Sequence, residues 1–433
     1  MEISVNPSLL APFYIPSTQA HLLNTQPVEQ KTIVDTPSSI DYTTAPIQAP
    51  MEEVTVLIVG SGPAGLATAA CLSRHSIPYL IVEREDCSAS LWRNRAYDRL
   101  KLHLAKEFCA LPYITFPKDA PTYVPRQEFV KYVDCYTKHF GIHPRYHTAV
   151  KSATYNEGSG RWTVVACDTV TGIEIQYTAR FLVVATGENG VGNIPAIFGL
   201  ESFPGETIHS LAYKNGSNYV GKRVLVVGSG NSGMEIAYDL ANHGADTSIV
   251  IRSRVHIMTK EMMRLGMTLA QYMPIFIVDT LLVTMAKVKF GDLSKHGIEM
   301  PKIGPLLLKS KTGRSSVIDV GTVDLIKKGV IKVFGAVSKI VGNKVQFEGG
   351  VESYFDSIVF ATGYKSTVNT WLKDDKCMLN NDGFPKKGYP NHWKGENGLY
   401  CAGFARRGLA AITMDAMNIA RDIAVVAANS MPE

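Results

Sequence analysis

The chain has 433 residues, too many for one simple hydrophobic core, and is expected to fold as two or three modules. Hydrophobic residues at 45% and charged residues at 19% describe a globular protein and exclude the disordered and fibrous classes. A total of 44 Lys and Arg against 39 Asp and Glu leaves a formal charge of +5, too small at this length to read as a nucleic-acid-binding surface.

Residues 1–50 are rich in Pro, Thr, Ser and Gln, contain no arginine, and show no apolar periodicity. They lack the basic, apolar, small-residue order of a secretory signal and are read as a disordered extension. From Val54 the pattern becomes strand, glycine turn, helix, strand: VTVLIV, GSGPAG, LATAACLSRHS, YLIVE. Gly60 permits the tight turn, Gly62 lets the backbone approach a pyrophosphate, and Gly65 lets the helix pack closely on the strand. Glu83 follows Gly65 by 18 residues, at the tip of the second strand, where a carboxylate accepts hydrogen bonds from ribose hydroxyls. It would repel a 2′-phosphate, so this loop is expected to take FAD or NAD.

An irregular stretch follows, including Leu91-Trp92 and residues 97–117. Alternating strands are expected at 161–167 and 173–177, then a buried strand at 181–184 ending in Ala185-Thr186-Gly187. The segment Phe203-Pro204-Gly205-Glu206-Thr207-Ile208-His209-Ser210-Leu211-Ala212-Tyr213 reads as a linker into a second strand–loop–helix unit. There the loop glycines are Gly228, Gly230 and Gly233. The second strand of this unit ends in Arg252-Ser253-Arg254 rather than an acid. Two guanidiniums and a hydroxyl suit a 2′-phosphate, which favours NADPH over NADH.

The longest charge-free apolar stretch, residues 265–278, has 14 residues and is interrupted by Pro274. It falls short of the roughly 20 residues needed to span a bilayer and is read as packing beside the cofactors, with a membrane-surface role as the lesser alternative. Lys302, Lys309, Lys311 and Arg314 form a basic stretch read as a solvated face, with contact to a substrate carboxylate or to a membrane as lesser alternatives. A hairpin is expected at 337–347 around Gly342-Asn343, followed by a strand leading into a second Ala-Thr-Gly, residues 361–363. This echo suggests one dinucleotide domain inserted into another. The first would span residues 51–202 and 330–433, and the inserted one residues 203–329. The expected fold class is α/β, with two dinucleotide-binding (Rossmann-like) domains, the NADPH domain inserted in the FAD domain, and β-hairpin or meander additions.

Seven cysteines are scattered and form no C-x-x-C pair. That disfavours a zinc site and a dithiol redox centre, and points to a reducing, cytoplasmic setting. No H-E-x-x-H or G-x-S-x-G occurs, and no metal site is expected.

With both loops placed, the pattern F-x-G-x-x-x-H-x-x-x-Y at 203–213 resembles the signature of class B flavin-containing monooxygenases. Residues 97–104 (YDRLKLHL), Phe108-Cys109, Leu111-Pro112, Tyr213-Lys214-Asn215-Gly216 and the run 398–404 (GLYCAGF) are similar to the plant YUCCA branch. The resemblance implies FAD at the first loop and NADPH at the second, with Trp92 and His103 near the flavin ring. His103 stands where broader members carry asparagine. His209 and Tyr213 would couple domain position to retained NADP⁺, and with His103 they are the candidate catalytic residues. The resemblance further implies molecular oxygen and a small aromatic α-keto acid as partners. Indole-3-pyruvate would be converted to indole-3-acetate through a flavin C4a-(hydro)peroxide. Two other readings stay open: oxygenation of nitrogen or sulfur, and a non-catalytic NADP-binding role. Contact with the endoplasmic reticulum surface is compatible with the sequence but not required by it.

Overall fold

A computed structural model of the protein describes residues 51–373 and 378–429, so the 50-residue leader lies outside the described residues. Two sheets carry the two glycine loops. In the first, Tyr79–Val82, Met51–Val59, Glu174–Val184, Arg161–Asp168 and Thr148–Asn156 lie in that spatial order. The three strands nearest the loop are parallel, and the far end is an antiparallel meander. The meander pairs with the long strand as far as Ala179, and Leu399–Cys401 takes over beside Leu182–Val184. The strand entering the first loop is fully apolar from Val56 to Val59 because helices cover one face and the meander side covers the other. The helix Pro63–Arg74 packs tightly there through Ala64, Ala67, Ala69 and Ala70, all buried.

The second sheet is wholly parallel, in the order Ile331–Phe334, Asp246–Val250, Arg223–Val227, Ser357–Phe360, Glu206–His209. The hairpin expected near Gly342 forms, and Glu352–Tyr354 extends it to three antiparallel strands. It is fixed to the parallel sheet by Phe347 stacked on Phe334, with ring centroids 4.3 Å apart.

Strand pairing corrects the expected boundary at residue 329. Ile331–Phe334 and Ser357–Phe360 both belong to the second sheet, and the chain rejoins the first sheet at Leu399–Cys401. Each Ala-Thr-Gly flanks its own glycine loop: the Ala185 carbonyl lies against Gly60 and the Ala361 carbonyl against Gly228. A repeated strand pattern identifies a position within a sheet, not which of two sheets receives it.

The chain crosses between the sheets twice, and the crossings run side by side. Val191–Gly192, outbound, pairs antiparallel with Tyr364–Lys365, inbound. The apolar stretch after Arg264 is divided between helices Lys260–Leu269 and Ile275–Phe290, which begins directly after Pro274. No described helix is long and apolar enough to cross a membrane.

Candidate active site

The two loops are built alike. Gly60 and Gly228 have φ of +107° and +116°, a conformation open to glycine. A Cβ on Gly65 would collide with the carbonyl oxygen of Gly60, and one on Gly233 with that of Gly228. Gly62 and Gly230, in contrast, have nothing within 4 Å of where a Cβ would stand. Each is the N-cap of a 12-residue helix that has no side-chain cap and no acid in its first turn. Open space over uncapped N–H groups at a helix N-terminus is the shape and charge a pyrophosphate requires, so the residues fit a dinucleotide at both loops.

Both loops reach one cavity of about 960 Å³. Gly60, Gly62, Glu83, Trp92 and His103 line it from the first region, and Asn231 and Ser232 from the second loop. The Glu83 carboxylate is buried and already oriented. It accepts from Ser61 N at 2.7 Å, Ser61 Oγ at 3.1 Å and Glu85 N at 3.1 Å, which leaves acceptor capacity for ribose hydroxyls. Thr186, in the neighbouring Ala-Thr-Gly, presents a buried hydroxyl with no protein partner to the same cavity, a second sign that a polar ligand belongs there. Trp92 packs on Phe129 at 4.5 Å between ring centroids, which fixes its plane at the cavity wall.

His103 joins the two regions. Its Nε2 donates to Glu235 Oε1 at 3.0 Å, and Glu235 is buried on the helix of the second loop. Burial pushes the Glu235 carboxyl up, but the hydrogen bonds and charges of His103, Tyr97 and Arg99 together outweigh it, so the group is lowered from its ordinary value. His103 lines the cavity, and Glu235 holds it from outside the lining.

His209 and Tyr213 do not line the cavity. Leu211 N–H donates to His209 Nδ1 at 3.2 Å, so Nε2 carries the proton and donates to Gly363 O at 3.0 Å. The ring covers Gly192, where a Cβ would strike it. His209 thus clasps both crossing strands, and burial pushes its pKa down, which keeps it neutral. Tyr213 is buried in the second module, donates to Asp239 Oδ2 at 2.7 Å, and stacks on Tyr219. His209 holds the crossing strands and Tyr213 the second loop's helix, and neither lines the cavity.

Arg252 and Arg254 are exposed beyond the strand tip, outside the cavity, and Arg254 pairs with Glu299 at 2.8 Å. The reading of Lys309 as part of a solvated face is corrected: it lines the cavity, as do Glu188 and Arg407. Glu188 follows Thr186-Gly187 directly, so its nearness to the first loop was readable. Glu235 carried no such mark, because its partner His103 lies 132 residues away in the chain, and Lys309 stood out only as one of a basic stretch.

The pyridine nucleotide-disulphide oxidoreductase family matches residues 57–269. The Arabidopsis thaliana protein named "Probable indole-3-pyruvate monooxygenase YUCCA10" is 55% identical over 372 residues, 86% of this chain and 97% of that protein. "Indole-3-pyruvate monooxygenase YUCCA1" of Oryza sativa subsp. japonica is 45% identical over 372 residues, covering 85% and 90%. Among solved structures, a flavin-containing monooxygenase from Stenotrophomonas maltophilia superposes with a TM-score of 0.67 at 20% identity, covering 87% of this chain and all of that one. Cyclohexanone monooxygenase from Rhodococcus sp. Phi1 bound to NADP⁺ gives 0.66 at 17% identity, covering 88% and 86%. At those identities the two structures bear on the fold alone.

Proposed function

The chain belongs to the YUCCA family of indole-3-pyruvate monooxygenases, and we propose that it converts indole-3-pyruvate, NADPH, a proton and O₂ to indole-3-acetate, CO₂, NADP⁺ and water, with O₂ as the oxidant. It is an FAD- and NADPH-dependent monooxygenase. The observation that carries the reading is the single cavity bordered by both glycine loops, where two dinucleotides can meet. FAD and NADPH, when bound, supply the electrons and the activation of oxygen. The chain's own residues bind, orient and exclude water.

In this reading the first sheet holds FAD, through Gly60, Gly62, Gly65 and Glu83, with Trp92 and His103 beside its ring. The second sheet holds NADPH, through Gly228, Gly230, Gly233, Arg252 and Arg254. His209 and Tyr213 position the two modules by bracing the crossing strands and the second loop's helix. Leu100, Leu102, Met263, Met267, Ile275 and Ile412 give the cavity apolar walls that keep water from the reacting centre. No side-chain nucleophile is required. The test is product analysis of the purified, flavin-loaded protein with NADPH, oxygen and indole-3-pyruvate. Indole-3-acetate equal to the NADPH consumed is the expected result; hydrogen peroxide alone would mean that the substrate is wrong.

The reading places the protein in the cytoplasm, in peripheral contact with the endoplasmic reticulum surface. Support comes from seven consecutive exposed residues, 271–277, in which Tyr272 is 80% and Phe276 68% accessible. Such a run suits an apolar interface more than water. Flotation with phospholipid vesicles should carry the protein, and Tyr272→Ser with Phe276→Ser should release it.

A further inference from the structure

Glu188, Lys309 and Arg407 line the cavity from three separate segments, and Arg406 adjoins Glu188 through its backbone N–H. Glu188 lies just past the first Ala-Thr-Gly, Lys309 in the helix Pro305–Thr312, and the arginines just before the helix Leu409–Ala428. Glu188 accepts a hydrogen bond from Arg406 N. The Lys309 ammonium donates to Gly313 O at 2.9 Å and Ser315 Oγ at 2.7 Å, which uses two of its three N–H groups and fixes its position. Arg406 and Arg407 lie over the rings of Phe384 and Tyr389, at 4.1 and 4.0 Å from the centroids.

Among the described residues none of these three cations forms an ion pair with a carboxylate, and the one carboxylate among them is outnumbered. Burial pushes Lys309 below and Glu188 above their ordinary ranges, so each is poorly compensated for the water it has lost. An arriving anion would restore that compensation for Lys309.

Leu306 and Lys309 are three residues apart on one helix and both line the cavity. A single helical face therefore offers an apolar contact followed by a cation. Met263, Met267 and Ile275 continue the apolar wall. A ligand that fits must be apolar at one end and anionic at the other. We infer that Lys309, supported by Arg407, is the group that receives the substrate's carboxylate and so selects 2-oxo acids over neutral aromatic ketones and aldehydes. The inference rests on the reading of the substrate as an aromatic α-keto acid.

The test compares the flavin-loaded, full-length protein with its Lys309→Met and Lys309→Arg variants. Calorimetric titration uses two non-reacting ligands that differ only in charge, indole-3-propionate and indole-3-propionamide. Wild type should prefer the acid, and Lys309→Met should weaken the acid roughly 10- to 100-fold, the range of a charge-assisted hydrogen bond in a desolvated site. The amide should change by less than about 2-fold, and Lys309→Arg should recover most of the acid's affinity because the charge is kept. Flavin content and melting temperature verify folding, and the KM for NADPH should not move. An acid-to-amide ratio unchanged in Lys309→Met, or a shift in the KM for NADPH instead, overturns the inference. Failure of wild type to form indole-3-acetate would remove the substrate reading itself, and product analysis tells the two failures apart.

Discussion

The two glycine loops share backbone geometry almost point for point, yet they present different faces to a ligand. Gly60 and Gly62 line the cavity directly, and Glu83 at the neighbouring strand tip is buried and hydrogen-bonded to the loop's own Ser61. Behind the second loop, Gly228, Gly230 and Gly233 stand off the cavity, and the strand tip carries two exposed arginines, one of them in a surface ion pair. One site is rigid before its ligand arrives; the other must recruit solvated side chains. That is the difference expected between a cofactor kept through many turnovers and one exchanged in each.

The strongest way to break the comparison is at the glycines. Gly65→Ala and Gly233→Ala each drive a methyl into a backbone carbonyl of the same loop. Each should lose about 3 kcal/mol or more of stability, since the clash is with main chain that cannot yield. Gly62→Ala and Gly230→Ala meet no atom within 4 Å, so they should melt near the nucleotide-free wild type while losing FAD and NADPH respectively. Thermal melts beside flavin absorbance and NADPH titration check all four. A Gly230→Ala protein with unchanged NADPH affinity would show that the open space there is not a nucleotide site.

Glu83→Ala tests the rigid side. It removes the acceptor of Ser61 N–H and Oγ–H as well as the proposed ribose contact. Hydrogen bonds to a buried carboxylate are worth about 1.5–3 kcal/mol each, so flavin should be lost during gel filtration. A fully yellow preparation would count against the role.

The comparison also marks what the sequence could and could not convey. Residues 60–65 and 228–233 were legible as glycine loops because close packing dictates glycine at fixed spacing, and the strand tips at Glu83 and Arg252 because they lie a fixed distance beyond. The sheet that receives Ile358-Val359-Phe360 was not legible, since a strand buried on both faces carries no address. Glu188, Glu235 and Lys309 escaped for a related reason: burial of a charged side chain shows only once its long-range neighbours are in place. His209 and Tyr213 stood out by spacing, but spacing could not say whether they react or brace. Only the bonds to Gly363 and Asp239 distinguish the two.

Replacing Arg252 and Arg254 together by alanine tests the exchangeable side. The loss should fall on NADPH, roughly 100-fold if each contributes about 1.5 kcal/mol to a 2′-phosphate, with NADH almost unmoved. Equal losses for both nucleotides would remove the phosphate assignment.

A smaller change sharpens the same point. Arg254 Nε is 2.8 Å from Glu299 Oε2, and the two side chains are 56% and 62% exposed. For Arg254 to serve a phosphate, that pair must open, and an exposed pair of this kind is worth about 0–1 kcal/mol. Glu299→Gln removes the competitor and a repulsive charge beside the proposed phosphate position. NADPH should therefore bind tighter, by at most about 5-fold, the gain vanishing at high salt as screening weakens both terms. NADH, lacking the phosphate, should not respond. Tighter binding of both nucleotides would mean that Glu299 acts on the pyrophosphate or on the fold, and weaker NADPH binding would mean that Glu299 orients Arg254 instead of competing for it.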